Sequence, residues 1–148
     1  MKKIYPLVLA LTLMLIGCGG SSLNANQIKY KDKTLTYGTS DIDNVFFDSG
    51  IDLKLNDSNE VRSITITNKD VTTFNGISVG DKITKVQSDY KYETEVGNTI
   101  SVTISDNKEI DALNDDKPEE TIYINYSYSD DTVEKIQIYD RTYAEKMK

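Results

Sequence analysis

Thr121-Ile122-Tyr123-Ile124-Asn125-Tyr126-Ser127-Tyr128-Ser129, then Asp130-Asp131, then Thr132-Val133-Glu134-Lys135-Ile136-Gln137-Ile138-Tyr139, is the most strongly patterned part of this chain. β-Branched and aromatic residues dominate both segments, and a short polar cluster separates them. The spacing predicts strands over 121–129 and 133–139, joined by the turn Ser129-Asp130-Asp131-Thr132. Successive strand residues point to opposite faces, so Ile122, Ile124, Tyr126 and Tyr128 share one side, and Tyr123, Asn125 and Ser127 the other. On the second strand Ile136 and Ile138 lie on one side, with Lys135, Gln137 and Tyr139 opposite. An apolar face backed by a Ser/Thr/Tyr face is the pattern of an antiparallel sheet with one side on the core and one in water.

Upstream, Thr99 to Ser105 alternates in the same way and predicts a third strand. Its Ser101 and Thr103, with Thr65 and Thr67 from an earlier strand, extend the polar face. Between Asp106 and Glu120 the chain is acidic and contains Pro118, which predicts a long loop. Before Thr99, Ile83, Val86 and Tyr90 follow Gly80-Asp81 at the spacing of one helical face. The earlier part repeats this order. Ile28 and Tyr30 alternate against Leu35 and Tyr37 around Lys31-Asp32-Lys33, a hairpin pattern. Gly38-Thr39-Ser40-Asp41 offers capping oxygens to a short helix with Ile42, Val45 and Phe46 on one face, closed by Gly50. Ile51, Leu53 and Leu55 make a strand, Asn56-Asp57-Ser58-Asn59 a turn, and Val61, Ile64 and Ile66 the returning strand.

Two alignments express an internal repeat. Asp41-Ile42-Asp43-Asn44-Val45 matches Lys82-Ile83-Thr84-Lys85-Val86 in apolar spacing, and Val61-Arg62-Ser63-Ile64-Thr65-Ile66 matches Val133-Glu134-Lys135-Ile136-Gln137-Ile138. The expected fold is α+β: two short helix-plus-antiparallel-strand repeats, about 34–70 and 76–140, sharing one sheet with the helices on one face. Gly76-Ile77-Ser78-Val79-Gly80-Asp81 with Ile83 and Val86 resembles the repeat of two related groups. These are the SmpA/OmlA (BamE-like) outer-membrane lipoproteins and the beta-lactamase inhibitor protein-like domains, the latter carrying it in tandem. Ser88-Asp89-Tyr90 departs from the Leu-Gly common there. The resemblance implies a non-catalytic, protein-binding module.

The amino terminus carries an address. Met1-Lys2-Lys3 is basic, and Ile4 to Ile16 is apolar apart from Tyr5, Pro6 and Thr12. The run is short of the ~20 residues that span a bilayer. With the small Gly17 at its end, it has the layout of a secretory signal. Leu15-Ile16-Gly17-Cys18 resembles the lipobox of bacterial lipoproteins, in which the Cys sulfur takes a diacylglyceryl group and a peptidase cuts before the Cys. That resemblance implies that residues 1–17 are lost and that Cys18 is the lipid attachment site, holding the chain to the extracytoplasmic face of the cell membrane. Two acyl chains give stable anchoring where one is marginal. The alternative is a secreted chain cut elsewhere, with Cys18 a free thiol. Residues 18–26, rich in Gly, Ser and Asn, read as lipidated Cys and flexible tether, residues 27–140 as the domain, and residues 141–148 as a charged tail.

Composition narrows the chemistry. Without Lys2 and Lys3 the chain has 15 basic against 24 acidic residues, a net charge of −9, which disfavours nucleic acid and anionic headgroups. Cys18 is the one cysteine, so no disulfide within the chain is available. There is no His, which removes Ser-His-Asp and Cys-His catalysis and the commonest zinc ligand. No phosphate-binding Gly-rich loop appears, and no cofactor is expected. Glu93 and Glu95 would share a strand face, whereas Glu119 and Glu120 would diverge. The oxygen-rich stretches 106–111 and 114–116 lack the spacing and central Gly of a calcium loop. Ten tyrosines and no Trp leave Tyr as the most informative residue, because it pairs a large rigid contact area with a polar tip. Tyr123, Asn125, Gln137 and Tyr139 are therefore the candidate contacts for a protein or envelope component. The rival readings are a small-ligand pocket using Tyr90 or Tyr92, and a carboxylate-dependent cell-wall hydrolase.

Overall fold

The computed structural model describes residues 22–118 and 120–146. Cys18, the lipobox and Glu119 lie outside the described residues. Strands β1 (Gln27–Tyr30) and β2 (Lys33–Thr36) form a separate antiparallel hairpin. Its turn residues Lys31 and Asp32 both have positive φ, the geometry that matches strand twist in two-residue hairpins. A backbone pair between Lys29 and Thr72, 2.9 Å in each direction, ties this hairpin to the rest.

The main sheet contains β3 (Ile51–Leu55), β4 (Val61–Ile66), β5 (Thr94–Val96), β6 (Thr99–Ser105), β7 (Lys108–Glu109), β8 (Ile122–Ser129) and β9 (Thr132–Asp140). Its spatial order is β3-β4-β9-β8-β6-β5, with β7 also on β6, and every pairing is antiparallel. The β8–β9 hairpin occupies the centre, as its alternation requires of a strand pair with one fully buried side. Ile122, Ile124, Tyr126, Ile136 and Ile138 are buried, and Ile64, Ile66, Ile100 and Val102 join them in one core. β5 and β7 are short edge elements that carry no alternating signal.

The fold is α+β. A 3-10 turn at Asn44–Phe47 and helix α1 (Ile83–Asp89) cover the inner face through Phe46, Ile83 and Val86. The first repeat's helix is thus a single tight turn. Asp43 caps it, its Oδ1 accepting from Val45 N at 3.1 Å. A second helix, α2 (Arg141–Lys146), occupies the expected tail. It packs against the other face, with Tyr143 beside Tyr139.

Two features of the backbone repeat between the halves. Gly38 N donates to Val61 O at 3.0 Å and Val61 N to Thr39 O at 2.9 Å; likewise Gly80 N donates to Val133 O at 2.8 Å and Val133 N to Asp81 O at 2.9 Å. Both glycines have left-handed φ, +84° and +96°, which an L side chain adopts only with strain. At the sheet centre Ile64 pairs Ile138, Thr65 pairs Gln137 and Ile66 pairs Ile136. Thr65 and Gln137 are equivalent in the sequence alignment, so the two units meet about a local two-fold between them. The ordered contacts begin upstream of the expected boundary at Gln27: Ala25 is buried, and its N–H donates to Asn107 Oδ1 at 2.9 Å.

Candidate functional site

The sheet register brings the four residues chosen from sequence together. On the outer face Thr103, Tyr123, Tyr139 and Ser63 stand in one row across β6, β8, β9 and β4, and Ser101, Asn125, Gln137 and Thr65 in the next. Tyr123, Asn125, Gln137 and Tyr139 are therefore a contiguous two-by-two block on the central strands, each half-buried. The rings of Tyr123 and Tyr139 stack with centroids 5.5 Å apart and planes 23° from parallel. Tyr143 continues the cluster 6.1 Å from Tyr139. Asn125 Nδ2 donates to the Tyr139 hydroxyl at 3.1 Å. Beneath this cover Asn125 Oδ1 and Ser63 Oγ are buried without a hydrogen-bond partner among the described residues. Such atoms carry a desolvation cost of about 1–3 kcal/mol until something donates to them.

Beside the block lies a groove of about 410 Å3 lined by Tyr123, Leu113, Asp115, Asp116, Arg141 and Ala144. Leu113 is 88% exposed. The acidic loop that carries it is organised by Asp111, which accepts from Leu113 N at 2.9 Å and from Asn114 Nδ2 at 2.6 Å. These donors, the Asn114 amide foremost, hold the Asp111 carboxyl below its ordinary pKa. Arg141 Nη1 clasps the loop through Lys117 O at 3.0 Å. Tyr143, Leu113 and Ser63 were absent from the sequence-chosen set. Tyr143 stands four residues after Tyr139, the only local signal that could have found it; Leu113 is one apolar residue in an acidic run.

A second recess, about 390 Å3, is lined by Asp106, Glu120 and Asp140 together with Asn24, Tyr37 and Asn107. Asp140 is already engaged. Its Oδ2 meets Arg62 at 3.4 Å, and its Oδ1 caps α2 by accepting from Tyr143 N at 2.8 Å. Glu95 accepts from the Tyr128 hydroxyl. Among the described residues no three carboxylates gather as a metal site. The two tyrosines of the small-ligand reading are placed differently. Tyr90 is a core residue whose hydroxyl meets that of Tyr126 at 2.9 Å, and burial pushes its pKa up to about 12. Tyr92 is exposed with the Lys91 ammonium 4.9 Å from its ring centre. Among the described residues no helix is long and apolar enough to cross a membrane.

Comparison with protein-family models, with curated proteins and with solved structures finds no match for this chain.

Proposed function

We propose that this chain is a lipid-anchored, extracytoplasmic, non-catalytic domain that binds another protein or an envelope component through the outer face of its sheet. The observation that carries the binding reading is the block of Tyr123, Asn125, Gln137 and Tyr139. Its stacked rings form a rigid, amphipathic platform, which Asn125 steadies from below by donating to the Tyr139 hydroxyl. The anchor reading rests on Leu15-Ile16-Gly17-Cys18 and the apolar run before it. The likeness to BamE-like and beta-lactamase inhibitor protein-like repeats rests on residues 76–86. The equivalent clips at Gly38 and Gly80 support its tandem form.

The test is crosslinking and pull-down from intact cells. Wild type is compared with Tyr123→Ala/Tyr139→Ala and with Gln137→Ala, all kept lipidated. The double substitution also removes a stacked pair worth about 0.5–1.5 kcal/mol beyond its buried area. Gln137→Ala leaves the stack intact and therefore separates binding from stability. A specific protein or cell-wall fragment lost in both variants, with the Gln137→Ala melting temperature unchanged, supports the face. The same captured set in all three overturns it. Cys18→Ala should move the chain out of the membrane fraction and abolish palmitate incorporation.

A further inference from the structure

The point where the chain joins the domain is fastened at one end of the sheet. Ala25, 2% exposed, is held by Asn107 Oδ1, and the backbone closes around it through Gln27 N to Asn24 O at 3.0 Å and Tyr37 N to Asn26 O at 2.7 Å. Asn107 belongs to the two-residue turn between β6 and β7. The adjacent strand ends are Ile104, Ile122 and Asp140, which pair across β6, β8 and β9. One residue further in stands the row of Thr103, Tyr123 and Tyr139. The opposite end is marked by Asn98, just before β6, and by the Asp130-Asp131 turn. At ~3.4 Å per residue, the length of β8 puts the two ends about 24 Å apart.

We infer that the anchored domain stands with its Asn107 end toward the bilayer and its Asn98 end away from it, so that the tyrosine row lies on the membrane-proximal side. This rests on the lipid-anchor reading above. Six chain steps separate Cys18 from Asn24, and an extended chain spans at most ~3.6 Å per residue, so Asn24 stays within about 22 Å of the lipid-bearing residue. Burial of Ala25 withholds the extra reach that a tether free through Asn26 would have. The reach is shorter than the sheet, which makes the two ends inequivalent with respect to the membrane. The partner that fits Tyr123 and Tyr139 is then a protein held at the same membrane, because that row stands on the side of the domain nearest the lipid.

The experiment uses the full lipidated chain in phosphatidylcholine vesicles carrying an acceptor dye on the headgroup. A donor dye is placed on Lys108→Cys or Asn98→Cys, two exposed positions that flank β6; the acylated Cys18 offers no thiol. Energy transfer should be about twofold or more stronger from position 108, as expected for ends a sheet-length apart. A Gly/Ser-rich insert between Ser22 and Leu23 should bring the two signals together. Equal or reversed transfer on membrane-bound, acylated protein overturns the orientation and leaves the anchor standing. A chain whose mass lacks the acyl groups and that stays off the vesicles overturns the anchor, and the orientation with it.

Discussion

Tyr90 and Tyr126 meet in the core through a hydroxyl pair 2.9 Å apart, with their rings 6.0 Å from centre to centre. Asn75 also stands beside the Tyr90 hydroxyl and Thr73 beside that of Tyr126, so removing one phenol leaves its neighbour short of a hydrogen bond but not isolated. Tyr90→Phe and Tyr126→Phe should each destabilise by about 1–2 kcal/mol, while the double variant costs little more than either single, because leaving a buried group unpaired is dearer than removing the pair. Urea denaturation of the three variants measures this; strictly additive losses would show that the hydroxyls do not depend on one another. The outer tyrosines follow the opposite logic. Tyr139 spends its hydroxyl on Asn125 and its ring on Tyr123 and Tyr143, yet stays partly open to solvent. The same residue type therefore locks the core on one face and stands half-exposed on the other.

Among the elements, the β8–β9 hairpin dominates the fold, and its turn is its least favourable part. Asp130 and Asp131 have φ of +48° and +59°, where both carry left-handed strain and two like charges stand side by side. The Asp131 carbonyl also accepts from Ile83 N at 2.9 Å, so the turn positions the start of α1. Replacing the pair by Asn-Gly keeps those backbone bonds and supplies the residues that favour such turns. It should raise stability by about 0.5–1 kcal/mol. A melting temperature that rises by a few degrees agrees with this; a fall would mean that the aspartate side chains contribute more than their strain costs. Gly50 cannot be treated the same way: at φ +81° a Cβ there would lie 2.9 Å from Asn68 backbone.

At the scale of the whole molecule, stability should fail at high pH. Burial first, and the Asp140 carboxylate second, raise the Tyr37 pKa; burial pushes Tyr90 up to about 12 and raises Tyr126 well above the ordinary phenol value of 10.0. Each folded-state value exceeds the unfolded one. The contribution of these neutral phenols is complete below pH ~10 and is lost as pH rises from there through the folded values. The phenolate absorbance of these buried tyrosines and loss of the folded circular-dichroism signal should therefore appear together above pH ~10. Ionisation of all tyrosines near pH ~10 with the fold intact would refute this. At the acid end, the Lys31 ammonium, with the Tyr30 hydroxyl, holds the Asp48 carboxyl well below its usual value. Its contribution is present above the unfolded carboxylate pKa and fades as pH falls below it.

Alternation of apolar and polar residues is a local property with a period of two, and it was enough to assign β4, β6, β8 and β9, their inner and outer sides, and the block of Tyr123, Asn125, Gln137 and Tyr139. The repeat was legible for the same reason, since its Gly and its apolar spacings are short-range features. Strand order, the pairing of Thr65 with Gln137, the burial of Ala25 against Asn107 and the seating of α2 on the outer face all join residues far apart in the chain. No local pattern encodes such contacts, because they follow from which surfaces remain to be covered once the sheet has closed. The polar face could thus be read along the chain. That its tyrosines stack, that it is flanked by a groove of mixed charge, and that it stands at the end where the chain enters the domain came from packing alone.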